Sequence, residues 1–141
     1  MSETDGWLAP EEPEEARTLY ESVGPSAQVV TREVAKAMGF DREEYRERVT
    51  GEVVETARDA LFASLLEVHD GSREDFEGWR EGFSGEVSVM GSENVDRVVW
   101  HAFDGEGVAA TYQNEPEAAR GTLRRQAFGR LYRPLFDGDG R

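Results

Sequence analysis

The apolar residues of this chain change their spacing after Gly85, and that change decides the fold class. From Glu14 to Phe83 they recur every three or four residues, as on one face of a helix. From Glu86 to Gln113 they alternate, as on a strand, and from Asn114 they return to helical spacing. Helices segregated from strands predict an α+β fold and not an alternating βαβ sheet. The expected architecture is an N-terminal helical layer of four to five helices, a small antiparallel β-meander of two to three strands, and a C-terminal helix packing back. With 141 residues, about one domain's worth, the chain divides into an acidic lead-in at 1–13, a single domain at 14–136 and a frayed tail at 137–141.

The lead-in carries Trp7, which either pins it to the body or leaves it loose. Ala16, Leu19, Tyr20 and Val23 mark a first helix, interrupted at Gly24-Pro25. Val30, Val34, Ala37 and Met38 share the apolar face of a second, which ends at Gly39. Asp41 and Glu44 have capping-box spacing, with Phe40 and Tyr45 at the two positions of a hydrophobic staple. Thr50-Gly51 kinks or restarts the chain before a central helix over 52–68. Its stripe of Val53, Ala57, Ala60, Leu61, Leu65 and Val68 is widened by Val54, Phe62 and Leu66, as in a helix covered on more than one side. His69-Asp70-Gly71 breaks it. Ser72 and Asp75 then cap a short helix with Phe76, Trp79 and Phe83 on one face.

Residues 86–90, 95–103 and 108–113 read as strands. A two-residue Gly105-Glu106 loop of the II′ kind would pair Phe103 with Val108, His101 with Ala110 and Val99 with Tyr112. These six side chains share one face, and Trp100 lies on the other. Asn114 with Glu117 caps the last helix, apolar at Leu123, Ala127, Phe128, Leu131, Tyr132 and Leu135, and Pro134 stops it.

Thirty Asp and Glu oppose sixteen Lys and Arg, a formal charge of −14, and Lys36 is the only lysine. Such a surface repels nucleic-acid phosphates and anionic membranes, so neither is an expected partner. It also strains a compact fold unless concentrated salt screens it. Few lysines, no isoleucine and many valines suit a GC-rich genome and a salt-rich cytoplasm. The rival reading, a disordered acidic chain, is opposed by the fourteen aromatic residues and the clear helical periodicity. With no Cys, a disulfide scaffold, a Cys-bound metal and a cysteine nucleophile are excluded. No apolar run approaches the ~18–20 residues that span a bilayer, and the acidic N-terminus does not look like a signal peptide. A cytoplasmic protein is expected.

Chemical motifs are sparse. Gly105-x-Gly107-x-x-Ala110 leads into a strand-like segment, where a dinucleotide site needs a helix N-terminus, so it reads as a hairpin turn. Two histidines outside any His-x-x-x-His frame do not make a metal site. The loop His69 to Asp75 lacks the ligand alternation of a calcium loop, and the tail Asp137-Gly-Asp139-Gly is too short and untethered for one. No cofactor and no metal is expected. His101 beside Tyr112 is the best candidate for acid–base work, against a plainer reading as a hydrogen-bonded core histidine.

The last helix is the electrostatic anomaly. Residues 115–136 carry a net charge of +3, from Arg120, Arg124, Arg125, Arg130 and Arg133 against Glu115 and Glu117, while residues 1–114 carry −16. It is either the counter-charge for the protein's own acidic helices or a docking face.

DREEYRERVTGEVVETARDALFASLLEV (41–68), GSENVDRVVWHA (91–102) and TLRRQAFGRLYRPL (122–135) resemble a small haloarchaeal protein family of unknown function. The resemblance implies haloarchaeal origin and a cytoplasmic address. It carries over no activity and no site residue. The leading expectation is therefore a non-enzymatic interaction module, contacting a protein partner or a second copy of itself through Arg124, Arg125, Arg130 and Arg133, with Trp100 as an apolar anchor. The alternatives are a small enzyme or ligand binder with a pocket near His101 and Tyr112, and a nucleic-acid-associated protein using the Arg face.

Overall fold

The structure, a computed structural model, describes residues 2–138. At its centre is a hairpin of β4 (Arg97–Phe103) and β5 (Glu106–Tyr112). Asp104 and Gly105 form the two-residue loop, with φ of 51° and 81°. Left-handed backbone at both positions is the type I′ turn that Asp-Gly favours and that matches strand twist. The loop thus lies one residue before the expected Gly105-Glu106, and the register differs by two. His101 faces Val108, Val99 faces Ala110 and Arg97 faces Tyr112. Because a two-residue shift preserves the pleat, each side chain keeps its expected face.

The expected small meander is overturned. The sheet is mixed and five-stranded, in the order β1-β2-β4-β5-β3. β1 (Glu3–Asp5) comes from the acidic lead-in, and β2 (Val68–Ser72) from the segment read as a helix break. Both pairings, β1 with β2 and β2 with β4, are antiparallel. β3 (Glu86–Met90) pairs in parallel with β5 and forms the far edge. Nor do the helices make one N-terminal layer, since strands precede and interrupt them.

α1 (Pro13–Ser22), α2 (Gly24–Ala37), α3 (Arg42–Arg48) and α4 (Gly51–Leu65) run between β1 and β2. Thr50 caps α4 by accepting from the Val53 N–H, so Thr50-Gly51 restarts the chain. The capping box at Asp41 and Glu44 is present. α5 (Arg73–Gly82) opens on a second capping box, Ser72 with Asp75, and covers one sheet face by packing Phe76 and Trp79 on Val98, Trp100 and Ala109. The opposite face carries Val68, Val99, Phe103 and Val108, which pack with α4 and α6 (Pro116–Ala127) around Phe62, Leu66, Leu123 and Tyr132.

Three helix expectations are corrected. α2 buries Ala27, Thr31 and Ala35, while Val30, Val34 and Met38 point outward. Its contacts are mainly with α4, and a row of small side chains lets two helices approach closely. α6 begins at Pro116 behind Glu115 and not at Asn114, because proline is pre-set for the first helical turn. Pro134 does not end the helical run either. A π-helical turn, Phe128–Tyr132, leads into α7 (Arg133–Gly138). The Arg133 N–H bonds back to the Phe128 carbonyl, so the wider turn precedes the proline that lacks a donor. The expected tail reaches Gly138 as helix, and Asp139 to Arg141 lie outside the described residues. Among the described residues, no helix is long and apolar enough to cross a membrane.

Candidate functional site

Asp70 is the most deeply buried charged residue, 1% exposed. As the third residue of β2 it shares a face with Val68, pointing at α6. Its Oδ1 accepts from Arg97 Nη2 at 3.0 Å and from the Tyr112 hydroxyl at 2.6 Å. Its Oδ2 accepts from Arg120 Nε at 2.9 Å, with Arg120 Nη2 at 2.8 Å, so two guanidinium nitrogens meet one oxygen. Burial and the bond to Asp70 raise the Tyr112 pKa above its ordinary value. Arg120 also reaches Glu3, and Arg124 grips Asp5 at 3.0 Å and the Leu66 carbonyl at 2.7 Å. The cluster therefore ties β1, β2, β4, β5 and α6 into one charge-balanced unit.

His101 is 3% exposed. Its Nδ1 lies 2.6 Å from the Glu67 carbonyl oxygen, and its Nε2 lies 2.7 Å from the Tyr132 hydroxyl. A carbonyl only accepts, so Nδ1 carries the proton, and in the neutral ring Nε2 accepts from Tyr132. Burial pushes its pKa down from 6.5 to about 4. Burial also pushes the Tyr132 hydroxyl above its ordinary range. The π-helical turn lets Phe128, Leu131 and Tyr132 all face inward, and this aims Tyr132 at the imidazole. His101 is thus a satisfied core group. Tyr112 belongs to the Asp70 cluster, so the two side chains paired in the sequence reading are not joined.

The Arg residues of the C-terminal region divide. Arg120 and Arg124 are spent on Glu3, Asp5, Asp70 and Leu66, which is the counter-charge reading. Arg125 is exposed, and its hydrogen bond goes to Thr122 within the same helix. Arg133 lies over the Phe128 ring at 5.0 Å and pairs with Asp59 at 3.5 Å. Arg125 and Arg133, with Arg124, border a cleft of about 500 Å³ between α4 and α6, where Ala60, Ala63 and Phe128 supply apolar lining. Arg130 lies apart, beside β3, where it lines a second cavity of about 340 Å³. Trp100 is 2% exposed, packed under α5 against Phe76 and Trp79; no partner touches it without displacing α5. The nucleotide-like Gly105 and Gly107 lie at the hairpin turn.

Sequence reasoning did not identify Asp70 with Arg97 and Arg120 as a network, nor Tyr132 as the partner of His101. The one local signal was the alternation of Val68 with Asp70, masked by the turn-like Asp-Gly pair that follows. Among the described residues, no group of three His, Asp or Glu side chains is placed to hold a metal ion.

No curated protein and no solved structure is found to match the chain. The profile of a family of unknown function (DUF5809) matches residues 7–133, which take in the cleft, the His101 pair and the Asp70 cluster apart from Glu3 and Asp5 of β1. The chain belongs to that family.

Proposed function

We propose that the protein is a non-enzymatic binding module whose α4–α6 cleft takes an acidic segment of a protein partner, with an apolar side chain of that segment seated against Ala60, Ala63 and Phe128. The observation that carries this reading is charge complementarity: in a chain of net charge −14, three guanidiniums border this cleft. Arg124 and Arg133 also meet Asp5, Asp59 and Asp137, whereas Arg125 is exposed and has no acidic partner among the described residues. A guanidinium binds carboxylates bidentately, and the apolar lining supplies attraction that salt does not screen. The saturated ring nitrogens of His101 further support binding over acid–base chemistry.

A peptide of alternating Glu and Leu, titrated into isotope-labelled protein, is expected to shift the amides of Ala60, Ala63 and Phe128. Arg125→Glu with Arg133→Glu is expected to weaken that binding by about tenfold or more, an effect the size of two lost charge pairs. No shift at the cleft, or equal affinity in the double variant, overturns the reading.

We propose further that the protein works in the salt-rich cytoplasm of a halophilic archaeon. The charge of −14 and the ratio of one lysine to fifteen arginines support this, because counterions at about 1 M shorten the screening length to about 3 Å and relieve self-repulsion. Far-UV circular dichroism is expected to show the helical spectrum strengthening, with a rising melting temperature, from low to multimolar KCl. A coil spectrum throughout overturns it.

A further inference from the structure

We infer that two copies of this chain join edge to edge through β3, antiparallel about a twofold axis at Ser88, to form one continuous sheet. The two edges of the sheet differ. β1 is three residues long and carries Glu3 and Asp5, devices that discourage pairing. β3 is five residues long, its outer side is unpaired, and it has no Lys, Pro or Gly. Its one charge is Glu86, although a third of the chain is charged. Val89 and Met90 on this edge are 38% and 44% exposed.

The side chains divide by face. Met90 Sδ lies 3.2 Å from Gln126 Nε2, so Glu86, Ser88 and Met90 share the α6 face. Val87 packs with the cluster under α5, so Val87 and Val89 share the other. A register centred on Ser88 places Glu86 opposite Met90 of the second copy, and Val87 opposite its Val89. Residues of like parity always face each other in this register. It is therefore compatible with either set of β3 backbone groups pointing outward.

The charges select a second copy over a foreign strand. Glu86 lies beside Glu106 in the β3–β5 ladder, a like-charge pair. Met90, at the other end of β3, borders the cavity that Arg130 also lines. Arg130 is exposed and has no ion-pair or hydrogen-bond partner among the described residues. Antiparallel pairing brings Glu86 of each copy toward Arg130 of the other, twice by symmetry, while Val87 and Val89 form apolar cross-strand pairs. An acidic foreign strand would meet Glu86 and Glu106 with like charge. The contact is isologous and closes at two copies.

The full chain in about 1 M KCl, where self-repulsion between two anionic copies is short-ranged, is expected to sediment as a dimer. Val89→Lys is expected to give monomer, whereas Val34→Lys, on the exposed face of α2, leaves the dimer intact. Glu86→Arg and Arg130→Glu are each expected to raise the dimer dissociation constant by about tenfold, and the two together in one chain restore it. That restoration separates a lost contact from a misfolded variant. A monomer at every concentration, dissociation by Val34→Lys but not by Val89→Lys, or failure of the paired charge swap to restore what each single change lost overturns the inference.

Discussion

Asp70→Asn is expected to lower the free energy of unfolding by about 3–5 kcal/mol, the cost of removing one partner from a buried ion pair. The amide keeps the shape of the carboxylate but not the charge that both guanidiniums face. The loss falls unequally. Arg97 has a side chain 40% exposed and recovers part of its hydration, whereas Arg120, at 18%, does not. Arg120→Met is therefore expected to cost nearly as much as Asp70→Asn, because it strands a carboxylate that is 1% exposed. Arg97→Met costs less, about 1 kcal/mol, as for a partly solvated pair. Urea unfolding measures all three, read as midpoints at unchanged m. A loss below about 1 kcal/mol for Asp70→Asn would show that the cluster is not holding the sheet to α6.

His101 gives the second large effect, and its sign follows from linkage. The folded pKa lies near 4 and the ordinary value is 6.5, both for the same ring. As pH falls through 6.5 the unfolded chain takes up the proton while the folded protein does not, so stability drops across this window and levels off below about 4. The difference amounts to about 3 kcal/mol at 1.36 kcal/mol per pH unit. His101→Gln retains an N–H for the Glu67 carbonyl and an acceptor for the Tyr132 hydroxyl without titrating. Wild type is expected to lose about 3 kcal/mol more than this variant between pH 6.5 and 4, measured by denaturation at fixed salt. Parallel stability curves would mean that His101 becomes charged inside the fold at no cost.

What the sequence discloses here is what neighbours along the chain decide. Both capping boxes, Asp41 with Glu44 and Ser72 with Asp75, are closed by groups three residues apart and are read correctly. The face parity of β4 and β5 is likewise local. Their register is not, because it depends on whether Asp104-Gly105 or Gly105-Glu106 makes the turn, and the positive φ values decide for the former. β1 and β2 have little apolar alternation of their own. They are held by backbone pairing to strands distant in the chain and by Arg97, Arg120 and Arg124, which meet their carboxylates. α2 misleads for another reason: amphipathic patterning assumes that large apolar residues face inward, whereas its contact with α4 selects Ala27, Thr31 and Ala35. Of the candidate site, the excess of arginine was legible as a departure from the acidic composition. Which guanidiniums are spent internally was not, since that requires knowing where Glu3, Asp5 and Asp70 lie.

The clasp between the first strand and α6 also orders events during synthesis. Arg120 lies 117 positions after Glu3, and Arg124 lies 119 after Asp5. A ribosome working from the N-terminus releases the anions of the clasp long before their cations. Until the last helix clears the exit tunnel, Asp70 has only Arg97 and Tyr112 to meet it, and the surface that will cover Val68 and Val99 has not arrived. The sheet edge at β1 and the cover over Asp70 are thus completed late, through contacts between residues far apart in the chain. Until then the chain carries the −16 of residues 1–114 without the +3 that residues 115–136 bring.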